Sequence, residues 1–195
     1  MIKQLLSAVL LCACAATGTA NAAVLTFDDI PGVAPASYGA IGSYAGYTFG
    51  STGDTSRLDW VDTAGELYGR GAVSGSFTMV NNFGGAAVIR RDGGADFSFG
   101  GLWAENWLDW DTAQGSLQGY RDGSLVWTSD MTLGASFAYH AGVAGNIDEL
   151  RIDFNGNFIV DNLELNDAAA EVPVPGTEAL MALGLAGLFL RRKKR

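Results

Sequence analysis

Three of the chain's five tryptophans, Trp103, Trp107 and Trp110, fall within eight residues. Trp103, Glu105, Trp107 and Asp109 alternate with Leu102, Ala104, Asn106 and Leu108, so an extended backbone would place two indoles and two carboxylates on one face. An indole can stack on the apolar face of a pyranose while a carboxylate accepts hydrogen bonds from its hydroxyls. This stretch, continued by Trp110 and Asp111, is therefore a candidate carbohydrate platform. Core strands also gather tryptophans; in that case Trp103 and Trp107 would be core aromatics and the acids would lie on the rim of a loop.

A second set of carboxylates comprises Asp28, Asp29 and Asp161. Asp161 interrupts the apolar run Phe158-Ile159-Val160, where an unpaired carboxylate would be costly to bury, so it should meet an arginine or a cation. If Asn155-Gly156-Asn157 forms a three-residue turn, Arg151 lies across from it. A two-residue turn would instead set it on the Leu150 and Ile152 face, where Asp28 or Asp29 could share a structural Ca²⁺ with it. Asp153, Asn155, Asn157, Asp161 and Glu164 also match an EF-hand spacing. Phe158, however, stands where that loop needs glycine, and the flanks are strand-like, so an Asn-Gly hairpin explains these residues with less.

Catalytic patterns are sparse. There is no Gly-x-Ser-x-Gly elbow, and His140 is the only histidine, too few for a multi-histidine zinc site. Glu105 with Asp109 or Asp111 could serve as acid and base of a glycosidase, but spacing along one strand sets neither their separation nor their burial. No catalytic residue is expected, and the chain reads as a non-enzyme.

The elements that must position these groups are short strands. Aromatic and β-branched segments recur between Gly, Asn and Asp clusters at 24–27, 44–49, 75–80, 86–90, 97–103, 116–120, 125–128, 136–140, 147–154 and 158–165, with no long window of helical spacing before the tail. The pattern predicts an all-β fold, an antiparallel β-sandwich. The clearest hairpins are 118–128 around Arg121-Asp122-Gly123 and 150–165 around Asn155-Gly156-Asn157, because Asp-Gly and Asn-Gly supply the positive φ of tight turns.

Composition narrows the partners. Residues 23–172 carry twenty acidic side chains, six arginines and no lysine. That balance argues against nucleic acid and anionic membrane surfaces, and it suits divalent cations and neutral polysaccharides. Both cysteines, Cys12 and Cys14, precede residue 22. The N-terminus has a basic Lys3, an apolar stretch over 5–16 and the small-x-small triplet Ala20-Asn21-Ala22, so 1–22 reads as a signal peptide cleaved after Ala22, which implies Sec-type export. The rival reading is a lipoprotein signal acylated at Cys14. After cleavage at Ala22 the chain has no thiol, and residues 23–167 form one β-sandwich domain, followed by a linker at 168–172.

The C-terminus has three parts in order: Pro173-Val174-Pro175-Gly176-Thr177, an apolar segment over 179–190, and the basic end 191–195 that includes Arg191 and Arg192. The prolines bias the chain to an extended form, and the twelve uninterrupted apolar or glycine residues over 179–190 fall short of the about 20 needed to span a bilayer. A single short transmembrane helix over 177–190 is expected, with the basic end on the cytoplasmic side and the domain beyond the inner membrane.

This tail resembles the PEP-CTERM sorting signal of Gram-negative bacteria, also catalogued as an ice-binding protein C-terminal domain. In that family a Pro-Glu-Pro motif, a membrane helix and an Arg-rich end are read by an exosortase that removes the helix. The resemblance covers 172–195, and Val174 stands where the family has glutamate. No regular Thr-x-Thr array supports ice binding. A looser similarity links Leu25-Thr26-Phe27-Asp28-Asp29 and the run 158–163 to the opening and closing strands of jelly-roll, galactose-binding-like domains that often precede this signal. Together these features imply an exported, exosortase-processed surface or extracellular-matrix protein that binds extracellular polysaccharide. The alternatives are a structural matrix protein of biofilms and, further off, a carboxylate-based glycan-degrading enzyme.

Overall fold

Fourteen strands, numbered β1 to β14 in chain order, pair into two antiparallel sheets in the computed structural model, which describes residues 22–64, 70–107, 112–154 and 157–168. These residues belong to one unit of the chain, Thr19–Ala169. The first sheet runs β11 (Ala138–Ala141), β8 (Phe97–Asn106), β14 (Phe158–Asp167), β6 (Phe77–Asn81), β5 (Asp59–Asp62) and β2 (Tyr38–Ala40). β1 (Ala22–Leu25) adds to β14, and β12 (Asn146–Ile147) adds to β8. The second sheet runs β10 (Ser124–Leu133), β9 (Ala113–Arg121), β13 (Glu149–Asp153), β7 (Ala87–Arg91), β4 (Tyr47–Ser51) and β3 (Ser43–Tyr44).

The sheets pack because each strand turns an apolar face inward. Phe49, Ile89, Leu117, Leu150 and Ile152 from the second sheet bury against Met79, Phe97, Leu102, Phe158 and Val160 from the first. Each such side chain contributes roughly 1.5–3 kcal/mol by leaving water. Edge-on aromatic pairs link the layers, with Tyr47 and Phe97 centroids 5.4 Å apart and Phe154 and Phe158 5.3 Å apart.

The hairpin at Asp122-Gly123 forms as the sequence predicts. Ser124 faces Arg121, and φ of 51° and 74° at the two turn residues gives the primed turn that suits strand twist. The second expected hairpin does not form. β13 pairs with β7 and β9 in the second sheet, whereas β14 pairs with β6 and β8 in the first. Leu150, Ile152 and Phe154 face Phe158 and Val160 across the core, so the chain changes sheets between them instead of folding back. Neither turn alternative for Asp161 therefore applies: its partner across the ladder is Trp103.

Alternation is interrupted on two adjacent strands of the first sheet together. In β8 the core residues change from Phe97 and Phe99 to Leu102 and Ala104, and in β14 from Phe158 and Val160 to Leu163 and Leu165. The register shifts between Asp161 and Leu165, where Asn162 takes φ 46° and Gly101 φ 154°. The paired irregularity resets which face each strand presents to the core. It is also what leaves Trp103, Glu105 and Trp107 on the face of the first sheet turned away from the core.

All six arginines of the domain are in ion pairs: Arg57 with Asp59, Arg70 with Glu105, Arg91 with Asp167, Arg121 with Asp96, and Arg90 and Arg151 together on Glu149. No helix among the described residues is long and apolar enough to cross a membrane. The segment 177–190 lies outside them.

Candidate functional site

The outer face of the first sheet carries its own small apolar cluster of Val61, Val80, Trp107 and Ile159, with Phe137 against it. Strand register explains the grouping. Ile159 stands opposite Val80 and Glu105, Val80 opposite Asp59, and Val61 opposite Tyr38 and Thr78.

Where Val61 and Val80 approach the sheet edge, the face opens into a cavity of about 230 Å³. Val61 and Val80 line its base with largely buried Trp107; Tyr38, Phe83, Asp59 and Asn82 complete the wall. Tyr38 is 60% and Phe83 37% exposed, so both offer ring surface to a ligand. Arg57 pairs with Asp59, donating from an Nη to Oδ2 at 2.7 Å while its Nε stands 2.7 Å from Oδ1 without a hydrogen bond there. The same guanidinium lies 5.4 Å from the Phe83 ring centroid, tying the rim together through a cation–π contact. Positive φ at Ser56, 53°, belongs to the turn that brings Arg57 to this position.

The expected platform is only partly assembled. Trp107 reaches the cavity. Trp103 shares the outer face but packs on Tyr139, its neighbour on β11, with centroids 5.6 Å apart. Glu105 is 2% exposed, and Arg70 holds it with Nε 3.2 Å from Oε1 while also donating to the Asn106 carbonyl. Burial pushes the Glu105 carboxyl above the usual carboxylate range, an effect partly offset by Arg70. A carboxylate so enclosed anchors structure and is not free to take a sugar hydroxyl. Asp109 and Trp110 lie outside the described residues.

Asp28, Asp29 and Asp161 do not converge as one donor set, and among the described residues no three His, Cys, Asp or Glu side chains form a metal cluster. Asp161 is fully buried and accepts the amides of Val73 at 2.7 Å, Ser74 at 2.9 Å and Asn162 at 2.7 Å. Burial raises its pKa, and the Asp28 charge adds to the rise. Asp28 accepts the amides of Ser76 and Phe77, while Asp29 accepts the Tyr44 hydroxyl. Asp28 and Asp161 thus both hold the strap 70–77 through its backbone. Gly75, with φ 59°, fits there because a Cβ would stand 2.0 Å from the Asp28 carboxylate. The EF-hand match separates as well: Asp153 lies in the second sheet and Asp161 in the first. His140 is half-buried on β11, and burial lowers its pKa.

Sequence reasoning missed Tyr38, Asp59, Asn82 and Phe83. Tyr38 and Asp59 lie on strands of three and four residues, too short to show alternation, and Asn82 and Phe83 follow the end of β6. The one available signal was the aromatic and acidic content of Leu58-Asp59-Trp60-Val61-Asp62.

Of the terminal residues assigned to processing, Ala22 is described and opens β1 opposite Asn166. Ala20, Pro173, Val174, Pro175, Gly176, Thr177, Arg191 and Arg192 lie outside the described residues. Residues 171–194 match the family model of the PEP-CTERM protein-sorting motif. A search of curated proteins finds no match. Solved structures with coarse likeness include a mutant of the family 29 carbohydrate binding module CBM29-2, at 16% identity and TM-score 0.42 over 80% of this chain and 99% of that one. The xylan-binding domain from CBM 22 aligns at 15% identity and TM-score 0.43, over 77% and 96%. CBM29_1 from Piromyces equi, a family 29 carbohydrate binding module, aligns at 11% identity and TM-score 0.42, over 83% and 99%.

Proposed function

We propose that the chain is an exported, exosortase-processed protein of the cell surface or extracellular matrix, and that its β-sandwich binds polysaccharide at the cavity bounded by Tyr38, Phe83 and Trp107. The observation that carries this reading is the cavity's make-up: exposed aromatic rings and an apolar base beside an exposed amide, a combination suited to a pyranose. The function is binding without catalysis, since Glu105 is committed to Arg70. The sorting motif at 171–194 supports the route: export, temporary anchoring in the inner membrane, then removal of the tail by an exosortase.

The test is retention of the full-length chain on a panel of immobilised xylan, mannan, galactan and cellulose. Retention on at least one is expected, and Trp107→Ala and Tyr38→Ala should each weaken it about tenfold, or 1.4 kcal/mol. If no polysaccharide retains the chain, or both variants bind as the parent does, the reading fails.

A further inference from the structure

The outer face is closed on the side of the cavity that leads toward β14 and β8. Val80, Ile159, Thr78, Asp161 and Glu105 are all buried there. Arg70 lies against Glu105 and the Asn106 carbonyl, and the Val73 and Ser74 amides are bound to Asp161. A polymer laid across the strands would have to break a desolvated ion pair and strip two amides from a buried carboxylate. The cavity itself is about 230 Å³. That suits one pyranose ring and not a run of them.

Charge restricts the ring further. Asp59 is ion-paired with Arg57, so the wall's charge is already balanced, and every arginine of the domain is committed to an acid. A sugar carboxylate entering the cavity would find no unengaged arginine to meet it.

Building on the polysaccharide reading of this cavity, we propose that it recognises a single neutral pyranosyl residue at a chain end or branch tip, and not an internal stretch of a polymer. Tyr38 and Phe83 clasp the ring from the open side, and Trp107 with Val61 and Val80 receives its apolar face. Exposed Asn82 takes its hydroxyls.

Competition separates this proposal from the reading beneath it. The full-length chain is loaded on whichever polysaccharide of the panel retains it, then displaced with methyl pyranosides of xylose, mannose, galactose and glucose, with methyl glucuronoside, and with linear oligosaccharides of each neutral sugar. One neutral methyl pyranoside should displace the chain within about threefold of its own oligosaccharide, while the uronoside is at least about tenfold weaker. Tyr38→Ala, on an exposed edge position, should weaken monomer and oligomer alike. Displacement that strengthens tenfold or more (about 1.4 kcal/mol) from monomer to oligomer, or preference for the uronoside, overturns the proposal and leaves polysaccharide binding standing. Absence of retention on every polysaccharide overturns both.

Discussion

The Arg70 guanidinium lies against the Glu105 carboxylate, Nε to Oε1 3.2 Å, with side chains 12% and 2% exposed. The pair seals the outer face of the first sheet and is the reason a carboxylate in an aromatic stretch is structural.

Arg70→Ala leaves Glu105 buried and unpaired, and chemical denaturation at neutral pH should show a loss of about 3–5 kcal/mol. The penalty should shrink in acid, where Glu105 takes up a proton. A loss below about 0.5 kcal/mol would mean the pair is solvated, not sealed.

Burial raises the pKa of Glu105 and Asp161 in the folded chain. Between the usual carboxylate range and these raised values, the unfolded chain has released protons that the folded chain still holds. Stability from these groups is therefore full in acid and is lost as pH rises. Glu105→Gln and Asp161→Asn should each flatten that decline in denaturation measured from acid to neutral pH. His140 acts in the other direction, because its lowered pKa costs stability as pH falls through the usual imidazole range. Steeper decline in either carboxylate variant would contradict the assignment.

Asp161→Ala strands the amides of Val73, Ser74 and Asn162, each worth about 1–3 kcal/mol when left unsatisfied. Hydrogen exchange should speed up at Val73 and Ser74 before the rest of the sheet opens. Uniform acceleration across the domain would show that Asp161 does not hold the strap locally.

Gly75→Ala should act on the same strap from the other side, through positive φ and collision with Asp28. Strain of about 1–3 kcal/mol is expected in its denaturation midpoint. A neutral result would show that Asp28 moves aside freely.

Val174→Glu restores the residue of the Pro-Glu-Pro pattern, so the tail should be removed faster in cells, read as the mass and fraction of the product with time. Equal rates would show that the carboxylate is not read.

The sandwich was legible because β8, β9, β10 and β14 are strands of nine or ten residues that each contain alternating stretches. Alternation also placed Trp103, Glu105 and Trp107 on one face. It could not say that Glu105 would be enclosed, since Arg70 reaches it from 35 residues away. The hairpin at Asp122-Gly123 was legible because two adjacent residues fix it, whereas Asn155-Gly156 misled. A turn dipeptide sets local geometry, but the apolar faces of Ile152, Phe154 and Phe158 decided that the chain should cross the core. The cavity was least legible, being made from the ends of short strands and the residues after them.

With all six arginines of the domain paired to acids, the remaining acids of the domain have no arginine of their own to balance them. Copies of the domain therefore repel one another until mobile cations supply what the sequence omits, over a reach of about 10 Å in 0.1 M salt. How closely such molecules crowd together becomes a property of the surrounding brine as much as of the protein: sparse in fresh water, dense where salt is high.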